Sequence, residues 1–441
     1  MVNSTERSDI LVFNCYLCHV KFLLTCYVCS TKIGEISDIS KCFENFVSQT
    51  LGVLTRIYAA ELRKDMTHQE LYQELLNPKS DLVYPFKYDN ESKDYFDYWS
   101  SLVEKYKKKI DDLSDESLKT LNKAFEKALV GYEKYMPTKR HNFKADFDEI
   151  CITIEESLKF CYMNYYEDAY KLLSEFFTRH DSFYLKMLPR TIIEENNVFD
   201  RIRLDFKPSE GKGQDGDLFH LPLQLRHKVA STRYGFLGYP VFYLAGSLET
   251  AWYEMNCPDI NSFSYAKFKT TKALSFLDLG YPIDKNPADW EYYSFLVFYP
   301  LIMGCLISVK HPQDPFKPEY VLPQLMTKII REMPQEGSPE NGEPSTNKGF
   351  AGIVYMSTKS PHIDNLHDMS LRNFALFPRN TICREGYDSR YLSPMFKMTD
   401  IKTFSHSSES LSEEDSLEVI KEIDNDSSKD EFHSINVTLI Q

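Results

Sequence analysis

At 441 residues the chain is long enough for two or three domains and a large buried core. A hydrophobic fraction of 42% with 14% aromatics suits a soluble globular protein, and a formal charge of −14 leaves no basic footprint for general nucleic-acid binding. No apolar run has the length of a membrane-spanning helix. Residues 10–29 are interrupted by Asn14, His19 and Lys21 and lack the basic start and small-residue cleavage site of a signal segment. The reading is a cytoplasmic protein with mostly reduced cysteines.

In chain order, the first feature is a pair of CxxC knuckles, Cys15–Cys18 and Cys26–Cys29. Four thiolates suit a tetrahedral structural zinc with no open position for catalysis. The seven residues between the knuckles are fewer than usual and hold no glycine, so an apolar terminal strand or helix rich in cysteine stays open as the alternative. We take residues 1–35 as this segment. Residues 36–190 read as a helical accessory domain. Lys119–Met136 and Ile150–Phe177 carry apolar residues at spacings of three and four, with Asp115 or Ser114 as a cap and Pro137 just past one end. The aromatic stripe of Tyr162, Tyr165, Tyr166, Tyr170, Phe176 and Phe177 reads as core packing.

From about residue 191 the texture changes to short apolar runs between turns: Val198–Phe206, Val241–Ala245, Ala273–Leu279, Gly352–Tyr355 and Phe374–Phe377. Helical segments at Ser294–Val309 and Leu322–Glu332 alternate with them, so the chain reads as α+β, with a mixed catalytic domain over 191–400. Residues 334–349 form a polar loop before the Ser357 strand, and residues 401–441 read as a disordered acidic tail. From Lys402 onward ten acids face three lysines, half of the net charge.

Chemistry-bearing residues crowd into 219–257, where Arg226, Arg233, Tyr234, Tyr243, Ser247 and Glu254 fall around an apolar strand. Arginine offers fixed donors for phosphate, tyrosine a flat face for a ring, and glutamate a charge for a cationic sugar intermediate. There is no phosphate-binding GxxxxGK[ST] loop, no GxGxxG fingerprint and no HExxH motif.

The order of motifs resembles the RES domain family. Phe199-Asp200-Arg201-Ile202-Arg203 stands for its opening arginine motif, followed by Arg233-Tyr234, Gly238, Phe242-Tyr243-Leu244 and Trp252-Tyr253-Glu254. Gly352-Ile353-Val354-Tyr355-Met356-Ser357 and Arg372-Asn373-Phe374-Ala375-Leu376-Phe377 follow, with Phe316–Leu325 similar to a segment of longer members. One departure is Asp200, where many members carry an aromatic residue. The resemblance implies an ADP-ribosyltransferase-like fold that consumes NAD as a substrate by releasing nicotinamide. It also raises the case for a cysteine-rich, zinc-holding start.

Carried over residue by residue, the resemblance implies catalytic roles for Glu254, under the ribose, and Ser357, as a hydroxyl that orients substrate or Glu254. Arg201 first and Arg233 second are implied for the pyrophosphate, Tyr243 and Tyr234 for ring stacking, and Asn373 as a further contact. Shorter RES toxins are held in check by a separate helix-turn-helix antitoxin, so an antitoxin or regulatory partner is implied, with a homo-oligomer left open. The expected activity is NAD glycohydrolase or phosphorylase, in a toxin or defence effector. The alternatives are ADP-ribosyl transfer to a macromolecule and an inert adaptor that binds a partner.

Overall fold

Hydrophobic periodicity between residues 66 and 178 resolves into helices. The computed structural model describes residues 66–88, 92–128, 142–178, 187–204, 217–333, 339–340, 343–344, 349–359, 365–379, 385–388, 390–404, 411–425 and 430–435. Cys15, Cys18, Cys26, Cys29 and the whole 1–35 segment lie outside the described residues. The first helices described are α1 (His68–Leu75), α2 (Tyr95–Asp111), α3 (Asp115–Ala128), α4 (Phe143–Tyr162) and α5 (Tyr166–Thr178).

Their ends follow side-chain capping. Thr67 and Glu70 form a reciprocal capping box on α1. On α3 it is Ser114, not Asp115, whose Oγ accepts from the third helical amide, at 3.2 Å, and Asp115 sits in the first turn, where the helix dipole favours its charge. The single pattern read over 150–177 is two helices. Asn164 adopts φ 64°, its N–H donates to Cys161 O at 3.0 Å, and Tyr165 N–H donates to Phe160 O at 2.8 Å, closing α4 with a left-handed turn. Of the aromatic stripe, Phe176 and Phe177 are core, while Tyr162, Tyr165 and Tyr166 are exposed.

These helices cover α7 (Asp289–Leu306), which is apolar on every side and buried from Tyr292 to Leu306. Pro300 has no N–H, so the Leu296 carbonyl loses its helical donor. Tyr106 of α2 supplies the missing bond at 2.8 Å, Trp99 Nε1 donates to Pro300 O at 3.0 Å, and the Tyr95 hydroxyl donates to Gly304 O at 2.9 Å. A buried acceptor left unmade costs about 1–3 kcal/mol, which makes this aromatic edge of α2 a fitted complement to α7.

Among the described residues ten strands form one sheet: β1 (Arg190–Ile193), β2 (Val198–Leu204), β3 (Phe242–Ala245), β4 (Phe263–Thr270), β5 (Leu274–Leu279), β6 (Gly352–Met356), β7 (Arg372–Leu376), β8 (Phe396–Met398), β9 (Lys402–Thr403) and β10 (His433–Ser434). The order is β1-β5-β6-β7-β3-β2-β4-β8-β10, with β9 also on β4. Only β5–β6 is parallel among these pairings. Its crossover contains α7 and α8 (Val321–Glu332), as parallel strands require. The architecture is α+β with a mixed sheet.

Alternation along the strands sends Leu277, Ile353, Tyr355 and Ala375 to the face that packs on α7 and α8. Phe199, Phe242, Leu244, Val354 and Phe374 go to the opposite face, beneath Leu218, Phe219, Leu392 and Met395. The core on the α7 side continues into α1–α5, so the helices before residue 190 and the sheet share one packed interior. Of the expected disordered tail, 401–441, the described residues 401–404, 411–425 and 430–435 are ordered instead. Besides β9 and β10 they form α9 (Glu413–Asn425), because Leu417, Ile420 and Ile423 recur at helical spacing and bury Ile420 against the helix α6 (Leu248–Glu254) that follows β3. No helix among the described residues is long and apolar enough to cross a membrane.

Candidate active site

Glu254 is the last residue of α6, and the sequence places it there through a tight turn. Gly246 links β3 to α6 where a Cβ would lie 2.0 Å from the Met369 carbonyl oxygen, so the turn admits only glycine without a backbone shift. Ser247 then caps the helix, its Oγ accepting from Thr250 N at 3.1 Å and donating to Ser370 O at 3.0 Å. At the other end Lys359 Nζ donates to the Glu254 carbonyl at 2.6 Å, a cation on the negative end of the helix dipole.

The half-buried carboxylate of Glu254 is gripped on one side only. Oε1 accepts from Ser357 Oγ at 2.6 Å and from Asn373 Nδ2 at 2.8 Å. Oε2 has no hydrogen-bond partner among the described residues. Ser357 and Asn373 are themselves 2% and 4% exposed and come from neighbouring strands. Ser357 follows β6, Asn373 lies on β7, and Asn373 pairs in register with Tyr355 and Ala245. The geometry thus brings together three of the residues singled out in the sequence, from positions more than a hundred apart.

Four tyrosines feel the charge of this carboxylate. Burial pushes the pKa of Tyr84, Tyr243, Tyr320 and Tyr355 up, with the Glu254 charge adding to each. The Arg233 charge acts in the opposite sense on Tyr84, Tyr320 and Tyr355, so Glu254 and Arg233 address the same three side chains. Arg233 is buried, donates to Cys305 O at 2.9 Å and Ile307 O at 3.0 Å, and lies 5.4 Å from the Tyr320 ring centre. Its turn is pinned by Gln324, whose Nε2 donates to Ser231 Oγ, Thr232 O and Gly235 O.

The two implied stacking residues differ. The Tyr243 hydroxyl is 2.7 Å from Thr232 Oγ1 and accepts from Tyr234 N at 3.2 Å, fixing the arginine turn on β3. Tyr234 is fully buried with its ring 4.6 Å from that of Tyr355, so it is a core residue rather than a platform.

Arg201 does not join Glu254. Asp200 is in register with Ala245, which puts Asp200, Ala245 and Tyr243 on one face of the sheet and Arg201 on the other. There its guanidinium lies 5.3 Å from the Phe242 ring centre and donates to Tyr243 O at 2.5 Å. Burial and the neighbouring Arg203 charge lower its pKa to about 10. Asp200 does not hold Arg201 either. Its carboxylate faces Lys267 Nζ at 3.6 Å on the paired strand β4, and Lys267 also reaches Asp424 of α9 at 3.5 Å. Burial pushes Asp200 up to about 7, against the pull of Lys267.

Sequence reasoning missed Tyr84, Gln324 and Lys359. Tyr84 falls in the irregular stretch 81–88 without periodicity, whereas Gln324 stands in the quoted motif Phe316–Leu325. No group of three or more His, Cys, Asp or Glu among the described residues is placed to hold a metal ion.

No family model matches the chain, and no solved structure matches it. Among curated proteins it is similar to "Putative toxin YopC" of Bacillus subtilis (strain 168), with 26% identity over 192 residues, 40% of this chain and 39% of that protein. The similarity therefore spans well under half of either chain and relates this one to a protein named as a toxin.

Proposed function

We propose that the protein is an NAD-consuming enzyme of the RES type that cleaves the nicotinamide–ribose bond and acts as a toxin or defence effector. The observation that carries this reading is the Glu254 carboxylate, with Oε1 clamped by Ser357 and Asn373 and Oε2 without a hydrogen-bond partner among the described residues. When the C–N bond of NAD breaks, its electron pair leaves with neutral nicotinamide and positive charge develops on the ribose. A carboxylate with one oxygen fixed and the other free is pre-oriented to stabilise that charge, since its reorganisation has been completed on folding. Water then adds to the anomeric carbon and gives up a proton, which the same carboxylate can accept, or phosphate adds as the dianion with no proton to lose. The family resemblance and the toxin-named relative support the biological setting, in which a partner holds the activity in check.

The experiment is nicotinamide release from NAD by wild type, Glu254→Gln and Glu254→Ala, with and without inorganic phosphate. We expect wild-type release that falls by about 10²–10³-fold in either variant. Free ADP-ribose as product denotes hydrolysis, a phosphate-dependent product phosphorolysis, and a labelled macromolecule transfer. Equal rates in wild type and both variants would remove Glu254 from the chemistry.

A further inference from the structure

We propose that Tyr84, supplied from the helical part of the chain, is a positioning residue that holds Ser357 against Glu254. The inference rests on the functional reading above and deepens it, because it makes the helical layer part of the site. Tyr84 is 2% exposed, and its hydroxyl donates to the main-chain carbonyl of Ser357, 273 residues away. That carbonyl belongs to the residue whose Oγ grips Glu254 Oε1.

Two bonds therefore fix the Ser357 backbone where it leaves β6: its N–H to Leu371 O at 3.1 Å and its carbonyl to Tyr84. Tyr84 is in turn held by a relay. Its backbone N–H donates to the Tyr281 hydroxyl at 3.2 Å, Tyr281 and Tyr299 hydroxyls lie 2.8 Å apart, and Tyr299 returns to Leu82 O at 2.5 Å. Tyr299 sits on the buried helix α7, so the loop carrying Tyr84 is referenced to a helix enclosed by the core. The arrangement has a functional logic. The serine must keep its Oγ on one carboxylate oxygen, and a strand end free to swing would let the hydroxyl turn to other acceptors. Burial raises the phenol's pKa, with the Glu254 charge second, so it stays a protonated donor at neutral pH.

The test uses the full chain with Tyr84→Phe, which keeps the ring in the core and removes only the hydroxyl. We expect kcat for nicotinamide release to fall about tenfold with KM changed less than about twofold, as for a lost transition-state orientation. In a Ser357→Ala background, adding Tyr84→Phe should cost little more, because the residue acts through that serine. A second readout needs no substrate: amide hydrogen exchange over residues 352–359 should quicken in Tyr84→Phe while global unfolding is little changed. Unaltered kcat with unaltered exchange, or fully additive losses in the double variant, would overturn the proposal. Should wild type release no nicotinamide, the functional reading fails, and the exchange comparison still decides the role of Tyr84.

Discussion

At the scale of single residues, the two arginines that the resemblance implies for the pyrophosphate, Arg201 first and Arg233 second, have different surroundings. Arg233 shares its phenol neighbours with Glu254, whereas Arg201 lies across the sheet beside Phe242. Arg233→Lys should therefore raise KM for NAD about tenfold, since Nη1 alone bonds the Cys305 and Ile307 carbonyls and the guanidinium keeps further donors for a ligand, which the single nitrogen of lysine does not. Arg201→Lys should leave the kinetics nearly unchanged and lower stability by about 1–3 kcal/mol, the cost of disturbing a buried donor. Steady-state kinetics with thermal unfolding on both variants checks the pair. The reverse pattern would return the phosphate-binding role to Arg201, as the family motif implies. Period-two alternation along Val198–Leu204 puts Arg201 and Arg203 on one face. Which face meets Glu254 was not legible in the sequence, because that depends on the register of β2 against β3.

At the scale of elements, the β3–α6 turn is where local sequence and the geometry of the proposed site meet. Gly246 lies under the Met369 carbonyl, and the helix that starts two residues later, at Leu248, ends at Glu254. A Gly246→Ala substitution should destabilise the fold by about 2–3 kcal/mol and also slow turnover, since the backbone shift it forces is transmitted down a helix of seven residues. A variant with normal melting and normal turnover would show that the turn is looser than its geometry. Strands β3, β6 and β7 were each readable as apolar runs between turns. Strand β4 was missed, because Lys267 and Lys269 interrupt its apolar pattern. Lys267 is 4% exposed and answers the buried Asp200 and the half-buried Asp424, a pairing that exists only once β2, β4 and α9 have met.

At the scale of the whole molecule, two buried groups on opposite faces of the sheet give opposing pH dependences. Asp200, pushed up to about 7 by burial with Lys267 opposing and Asp424 and Asp430 adding to the rise, holds a proton that the unfolded chain has lost. Its contribution to stability therefore declines as pH rises from about 4 to about 7. His220 is lowered to about 4 by burial, with its Nδ1 on Leu221 O at 2.8 Å and Nε2 accepting from Asp388 N at 2.7 Å. It stays neutral where the unfolded imidazole would charge, so its contribution declines as pH falls from about 6.5 to about 4. The two slopes oppose each other in that shared window, each at most ~1.4 kcal/mol per pH unit. Asp200→Asn should expose the histidine slope, giving stability that rises with pH from about 4 to 6.5. Urea unfolding midpoints over that range measure it, and a curve parallel to wild type would place the Asp200 proton elsewhere.

The sequence by itself determined the α+β class, the strand-rich character after residue 191 and the order of motifs that singles out Glu254, Ser357 and Asn373. The class and the strand-rich character follow from periodicity and turn chemistry, which are local, whereas the site residues were singled out by the resemblance to the RES family. Tertiary structure alone decided that Ser357 and Asn373 grip a single oxygen of Glu254, and that Tyr84 reaches Ser357 from 273 residues away. It also decided that the acidic end of the chain forms a helix docked on α6, with Asp424 accepting from the Leu248 and Glu249 amides at 3.3 and 3.4 Å. The physical reason is common to all three. A hydrogen bond between distant segments leaves no periodic trace in either, and its partner is chosen by how the strands register and which faces the core takes up.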